Sequence, residues 1–283
     1  MKRSHLLLLL LFVVSLSISA VAQSSPAIKR TTFKNDRFPF GVGGTLKVVG
    51  APQGSIRIEG WANREIEISA EIEVNAATET EIGLLSKVTG FLLDESLGTT
   101  RIISVGTHDK KYLKNVDKKF PKNLLTAATR IDYVIKVPRY TDLRIDGGSG
   151  DLNISGVEGT MTINYLETNA DIALVGGGIN ATFGSGSVNI SIPTHSWRGR
   201  YADVQMAKGT LNLTLPAGLN AEFDATILRT GSIENGFTGF TPRVRKAEFT
   251  ERSIVAKSGT GVIPLKFTVG DGMLTIHESG RPG

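Results

Sequence analysis

Gly150-Asp151-Leu152-Asn153-Ile154 and Gly186-Ser187-Val188-Asn189-Ile190 are two copies of the unit that decides the fold. Each copy has a small residue, a small polar residue, and then apolar, polar and apolar residues in alternation. Period-two alternation puts every second side chain on one face of a β-strand. The unit therefore predicts short strands with one aliphatic and one polar face. Further complete or partial copies begin at Gly44, Gly54, Gly159, Ala170, Gly209, Gly231 and Gly272.

The copies recur at a nearly constant spacing. The starts at 150 and 170 differ by 20, those at 186 and 209 differ by 23, and those at 209 and 231 differ by 22. A period of about 20 residues is typical of solenoids, in which stacked units bury a column that one unit cannot bury alone. We predict an all-β, single-stranded parallel β-solenoid, similar to a β-helix, with glycines at its corners where a positive φ is tolerated. A β-sandwich is the alternative, because it also has short alternating strands at regular spacing.

Composition excludes several classes of protein. The chain has 283 residues, 32 glycines, no cysteine and a formal charge of +5. Without cysteine there is no disulfide framework, thiolate zinc site, iron–sulfur cluster or cysteine nucleophile. Hydrophobic residues at 40% and charged residues at 21% exclude a disordered polyelectrolyte.

The first 22 residues are typical of a secretory signal peptide. Met1-Lys2-Arg3 is basic, residues 6–14 are apolar, and Ala20-Val21-Ala22 supplies small residues for cleavage after Ala22. The apolar part is too short for a membrane span of about 20 residues. We therefore predict an exported protein without a transmembrane segment, located in the periplasm, at the cell surface or outside the cell. The expected domains are the signal peptide 1–22 and one β-solenoid domain 23–283, with N-terminal strands in 23–145 and the main repeats in 146–283.

The N-terminal half interrupts the repeats. Thr78 and Glu81 form a capping box, and apolar residues follow at helical spacing, so we predict one short amphipathic helix over 78–89. Apolar stretches on both sides of Ser96-Leu97-Gly98 predict a hairpin. Residues 106–127 are expected to form a polar surface insertion.

This insertion carries the one concentrated charge of the chain. Its lysines could bind anionic polysaccharide or lipid head groups by charge, whereas a simple solvated loop is the alternative. Export makes nucleic acid an unexpected partner. The candidate binding residues are Lys110, Lys111, Lys114, Lys118, Lys119 and Lys122.

No catalytic or metal motif is evident, and no cofactor or metal is expected. His108, His195 and His277 are far apart in the sequence, and residues 147–152 depart from the nucleophile elbow and from the calcium nonapeptide. The alternative function is a carbohydrate-active β-helix enzyme that uses exposed acids in pairs. Its candidates are Asp146, Asp151 and Asp171. Asp151 and Asp171 occupy the same position of the unit and could stack, but serine or threonine fills that position in other copies, which favours a structural role.

Three longer segments together resemble a known family. They are Gly54-Ser55-Ile56-Arg57-Ile58-Glu59-Gly60-Trp61, the stretch from Val137-Pro138 to Leu152, and Leu215-Pro216-Ala217-Gly218-Leu219-Asn220-Ala221. They are similar to a bacterial family of exported β-strand-repeat proteins of unknown function, often described as adhesin-like. The resemblance implies a parallel β-solenoid and a non-enzymatic role in surface binding or in the cell envelope. It transfers no functional residue and leaves the oligomeric state open.

Overall fold

The computed structural model describes residues 28–96, 98–193, 197–244 and 248–279, and within these ranges 16 strands form one sheet. The predicted signal peptide 1–22, Leu97 and His195 lie outside the described residues. The strands are β1 (Ile28–Pro39), β2 (Thr45–Val49), β3 (Ile56–Trp61), β4 (Glu65–Ala76), β5 (Gly90–Ser96), β6 (Thr99–Val105), β7 (Thr129–Pro138), β8 (Asp142–Ser149), β9 (Leu152–Ser155), β10 (Thr160–Ala173), β11 (Gly176–Ser191), β12 (Arg198–Pro216), β13 (Ala221–Asn235), β14 (Thr241–Pro242), β15 (Ser253–Ser258) and β16 (Ile263–Ser279).

The helical elements all lie in the N-terminal half of the described chain. They are α1 (Glu79–Val88), α2 (Lys110–Val116) and a 3-10 turn (Lys122–Leu124). The predicted all-β class is confirmed, and so is the helix within 78–89. Both bonds of its capping box form: the Glu81 amide donates to Thr78 Oγ1 and the Thr78 amide donates to Glu81 Oε2. The second helix, α2, was not predicted.

The sheet is mixed. Its main path is β1-β4-β7-β3-β9-β10-β11-β12-β16-β13-β15-β14, and a second path, β5-β6-β2-β8, joins it at β10. Pairs in the middle of the sheet are parallel, whereas β1–β4, β4–β7, β5–β6 and β13–β15 are antiparallel. The β5–β6 pair confirms the hairpin. Because a mixed sheet also fits the sandwich alternative, the parallel solenoid stays a prediction.

The registers correct the predicted repeat. Ala170 of β10 pairs with Leu152 of β9 on one side and with Val188 of β11 on the other, so it aligns with the apolar residue of the unit and not with the glycine. The step predicted from the starts at 150 and 170 was therefore wrong. Gly186 pairs with Gly209, as the predicted step between β11 and β12 requires. The next neighbour of β12 is β16, however, and β13 lies beyond β16, so the copies at Gly209 and Gly231 are not adjacent in the sheet.

Glycines mark the points where the long strands change the face that they bury. In β11 the buried residues are Ile179, Ala181 and Phe183 before Gly186, and Val188 and Ile190 after it. Gly186 has a φ of +126°, a region that favours glycine. The positive φ at this glycine is as predicted, but the glycine lies inside a continuous strand and does not precede it.

Aliphatic side chains form rows across the strands, as the alternation predicts. The register aligns two such rows, and all of their members are buried, so neighbouring strands share one apolar core. The first row is Leu152, Ala170, Val188, Leu211 and Leu274, and the second is Ile154, Ile172, Ile190, Leu213 and Ile276.

Candidate functional site

The six candidate lysines lie on one segment between β6 and β7. Three of them are on α2, two are in the turn that follows, and one begins the 3-10 turn; all six side chains are exposed. Residues 106–127 contain six lysines against two aspartates, a formal charge of +4. The lysines are, in order, Lys110, Lys111, Lys114, Lys118, Lys119 and Lys122.

The segment is anchored to the rest of the fold by two buried leucines. Leu113 and Leu124 are each only 5% exposed. Leu124 belongs to a small apolar cluster with Val74 of β4 and with Ile82 and Leu85 of α1. Burying such side chains stabilises the segment by about 1.5–3 kcal/mol each. The lysines therefore lie on a segment whose backbone is fixed to the rest of the fold by these two leucines.

Both aspartates of the segment bind backbone amides. Asp109 caps α2 by accepting a hydrogen bond from the Tyr112 amide at 2.9 Å. Asp117 Oδ1 accepts one from the Lys119 amide, also at 2.9 Å. These carboxylates help to fix the local backbone, and they leave the lysine ammonium groups without an acidic partner in the segment.

Within the described residues, no ion pair includes any of the six lysines. Many cationic side chains on the strands form ion pairs, such as Lys136 with Glu67 at 2.9 Å and Arg229 with Asp271 at 2.6 Å. Other exposed cations without a pair are scattered over several strands. The segment is therefore a concentrated, uncompensated positive charge.

A shallow groove of about 630 Å³ lies beside the start of this segment. It is lined by His108, Asp109 and Lys110 and by residues of β2, β6, β8, β10 and the loop after β2. The sequence could not show this groove, because its residues are distant along the chain. The apolar lining residues are Val49, Ala51, Pro52, Ile103 and Leu166.

Each of the candidate catalytic acids accepts a hydrogen bond from the side chain of an asparagine on an adjacent strand. Asp146 accepts from Asn164 at 3.0 Å, Asp151 from Asn169 at 3.4 Å, and Asp171 from Asn189 at 2.8 Å. In each bond the asparagine follows its aspartate by the same interval along the chain, which is the step between these strands.

The predicted stacking of Asp151 on Asp171 was wrong. Asp171 lies opposite Asn153, whereas Asp151 bonds to Asn169. Burial alone would raise the pKa of Asp146, but the hydrogen bond from Asn164 and the ammonium of Lys47 at 2.9 Å hold it below its usual value. Asp146 is thus an ionised structural partner.

In the described ranges, no group of three or more histidine, aspartate or glutamate side chains is placed to hold a metal ion. His108 precedes α2, His277 lies on β16, and they do not converge. None of the helices in the described part of the chain has the length and apolar character needed to cross a membrane.

No protein-family model matches this chain, and no curated protein sequence matches it either. The solved structures that are similar to it at low identity include the following three. A "putative cell adhesion protein" from Clostridium sporogenes is 12% identical with a TM-score of 0.43, and the match covers 88% of this chain and 100% of that one. A "putative adhesin" from Bacteroides fragilis is 11% identical with a TM-score of 0.34 (88% and 97% covered). A "putative lipid binding protein" from Parabacteroides distasonis is 10% identical with a TM-score of 0.23 (88% and 97% covered). Bacterial proteins described as adhesins are thus among the solved structures to which this chain is similar at low identity.

Proposed function

We propose that this chain is an exported, non-enzymatic β-repeat protein that binds anionic polysaccharide of the cell envelope through its lysine-rich segment. One observation carries the proposal: six exposed lysines that form no ion pair with any described residue are clustered on a segment that Leu113 and Leu124 anchor. The signal-like residues 1–22 support export.

The arrangement of the lysines favours a polymer over a small anion. Lys110 and Lys114 are one helical turn apart, so their side chains are neighbours on the helix surface. Lys118, Lys119 and Lys122 continue the charge beyond the helix. Six cations on one segment suit a chain that carries many negative charges, and such attraction weakens as salt rises because exposed charges are screened.

We also propose that the middle of the sheet is a parallel solenoid. β10 and β11 are parallel neighbours, and Leu174 and Val175 are the only residues between them. So short a connection between parallel neighbours supports a coil, which would give the lysine-rich segment a rigid base. The bonds of Asp146, Asp151 and Asp171 to three different asparagines support a structural role for these acids, not a catalytic one.

The test replaces the six lysines of the segment with serine and measures binding to heparin, with uncharged dextran as the neutral probe. We expect the six-serine variant to lose heparin affinity at least about tenfold, and the parent protein to bind more weakly as salt rises. Circular dichroism and thermal unfolding should be unchanged, since the lysines are exposed.

A charge-matched control separates the segment from overall charge. It replaces six other exposed cations that make no ion pair with described residues, and it should keep heparin affinity within about twofold if the segment is the site. Equal losses in both variants, or unchanged binding in the lysine variant, would contradict the proposal. The control residues are Arg57, Arg139, Arg200, Lys208, Arg252 and Lys257.

A further inference from the structure

Strand β1 presents a long free edge. It pairs with β4 over all 12 of its residues, and among the described residues it pairs with no other strand. A free edge of this length exposes unpaired backbone N–H and C=O groups, which can pair with another chain.

The side chains of β1 are also unusually exposed for a strand. Phe33 is 69% exposed and lies opposite Glu71, on the face turned away from the core. The even-numbered residues from Arg30 to Phe38 lie opposite the buried residues of β4, such as Ile72 and Val74. Nothing in the described fold explains an exposed phenylalanine at the centre of an edge strand.

Symmetry restricts how two copies of β1 could pair. Two identical antiparallel strands are related by a two-fold axis perpendicular to the sheet, which keeps each residue on the same face of the sheet in both copies. Directly opposed residues also point to the same face, so both have odd numbers or both have even numbers. The axis then passes through one residue of each copy. Near the centre, the axis can then pass through Thr32, Phe33 or Lys34. An axis at Lys34 puts two ammonium groups opposite each other, and an axis at Thr32 puts Arg30 opposite Lys34. Like charges directly opposite each other are destabilising.

An axis at Phe33 gives complementary pairs. Phe33 then lies opposite Phe33, Ile28 opposite Phe38, and Arg30 opposite Asp36, each pair occurring with its symmetry mate. Lys29 and Arg37 also face each other, but Glu73 and Glu65 of β4 already neutralise them.

Asp36 is the only acid of β1, and it makes no ion pair with any described residue. Its Oδ1 accepts a hydrogen bond from the Arg37 amide. Arg30 is bonded to Glu79 of α1, but this pair is exposed and contributes little to stability. Arg30 can therefore turn to Asp36 of a second copy at little cost.

We propose that two copies of this chain associate through antiparallel pairing of β1 about an axis at Phe33, which continues the sheet from one copy into the other. This inference is independent of the lysine-rich segment. The partner is a second copy of this chain.

Charge reversal tests the register. Sedimentation equilibrium of the purified protein over a concentration series should show a dimer. Arg30→Asp and Asp36→Arg should each shift the protein toward monomer, because each puts like charges opposite each other. An equimolar mixture of the two variants should regain the dimer, since each chain then offers the charge that the other lacks. The double variant should regain it alone.

Cysteine cross-linking tests the axis. The chain has no cysteine, so Phe33→Cys creates a single thiol. Two opposed residues of an antiparallel pair have Cα atoms about 4.5–5.5 Å apart, within the range that a disulfide spans. Mild oxidation should give a covalent dimer on a non-reducing gel. Leu228→Cys, at another exposed position, is the control and should not form a covalent dimer. A parent protein that is monomeric throughout, a mixture that stays monomeric, or equal cross-linking of both cysteine variants would overturn the proposal.

Discussion

Single glycines lie where the long strands change the face that they bury. Gly150, Gly186, Gly209 and Gly272 all have positive φ. A Cβ at Gly186, Gly209 or Gly272 would meet the backbone of the adjacent strand, and a Cβ at Gly150 would meet the backbone of Gly54, just before β3. The sequence showed these glycines but misplaced one corner. On β10 the residue opposite Gly186 is Thr168, so this strand has no glycine at the position where the repeat unit predicts one. This substitution explains why Ala170 was mistaken for a corner and why Asp171 was aligned with Asp151.

Gly209→Ala should therefore destabilise the protein. A Cβ at Gly209 would lie 2.1 Å from the carbonyl oxygen of Gly186, and φ is +134°. Strained backbone and overpacking together predict a loss of more than about 2 kcal/mol in the free energy of unfolding. The matched control is Gly83→Ala on α1, where a Cβ meets nothing within 4 Å. It should raise stability by about 0.4–1 kcal/mol.

Urea unfolding followed by circular dichroism measures both glycine variants. If Gly209→Ala were as stable as Gly83→Ala, β12 would not need a glycine where it changes the face that it buries.

At the scale of elements, prediction succeeded where the signal is local. α1 was found because its capping box and its apolar residues lie within a dozen positions. α2 was missed because only Leu113 of its seven residues is buried, so no apolar face is visible in the sequence. Its stability depends on the Asp109 cap and on contacts with distant elements. Such contacts cannot be read from a short stretch of sequence.

The lysine-rich segment should depend on Leu124 as its anchor. Leu124→Ala removes a side chain that is 5% exposed and packs with Val74, Ile82 and Leu85. We expect the free energy of unfolding to fall by about 2–4 kcal/mol and amide hydrogen exchange in residues 110–127 to become faster. Leu125→Ala removes the same atoms from a side chain that is 38% exposed, and should change stability by less than about 0.5 kcal/mol. Equal exchange in both variants would show that the segment is not anchored there.

At the scale of the whole molecule, the order of strands differs from their order in the chain. β2 pairs with both β6 and β8, and β3 with both β7 and β9, so an early part of the chain lies between later parts. At the other end, β16 lies between β12 and β13. The repeat unit predicts strands that stack, but it carries no information about which strands become neighbours. That choice depends on the connections between them, which have no repeat.

Because β16 lies between β12 and β13, we predict that the protein does not fold without it. β16 contributes five buried side chains between β12 and β13: Leu265, Phe267, Val269, Leu274 and Ile276. At about 1.5–3 kcal/mol each, their burial is worth roughly 8–15 kcal/mol, which is comparable to the whole stability of a typical domain at about 5–15 kcal/mol. A chain that ends at Gly261 should therefore be insoluble or unfolded. A chain that ends at Ser279 is the control and should unfold like the parent.

The same truncation distinguishes this order from sequential stacking. If each strand were stacked on the one before it, β16 would be a terminal unit, and its loss would leave the other units folded. Here its loss separates β12 from β13 and exposes two apolar strand edges, which favour aggregation. A synthetic peptide spanning Ile263–Ser279, added during refolding of the shortened chain, should restore solubility and a cooperative thermal transition. A shortened chain that is soluble and unfolds cooperatively without the peptide would show that β16 is not the centre of this end of the sheet.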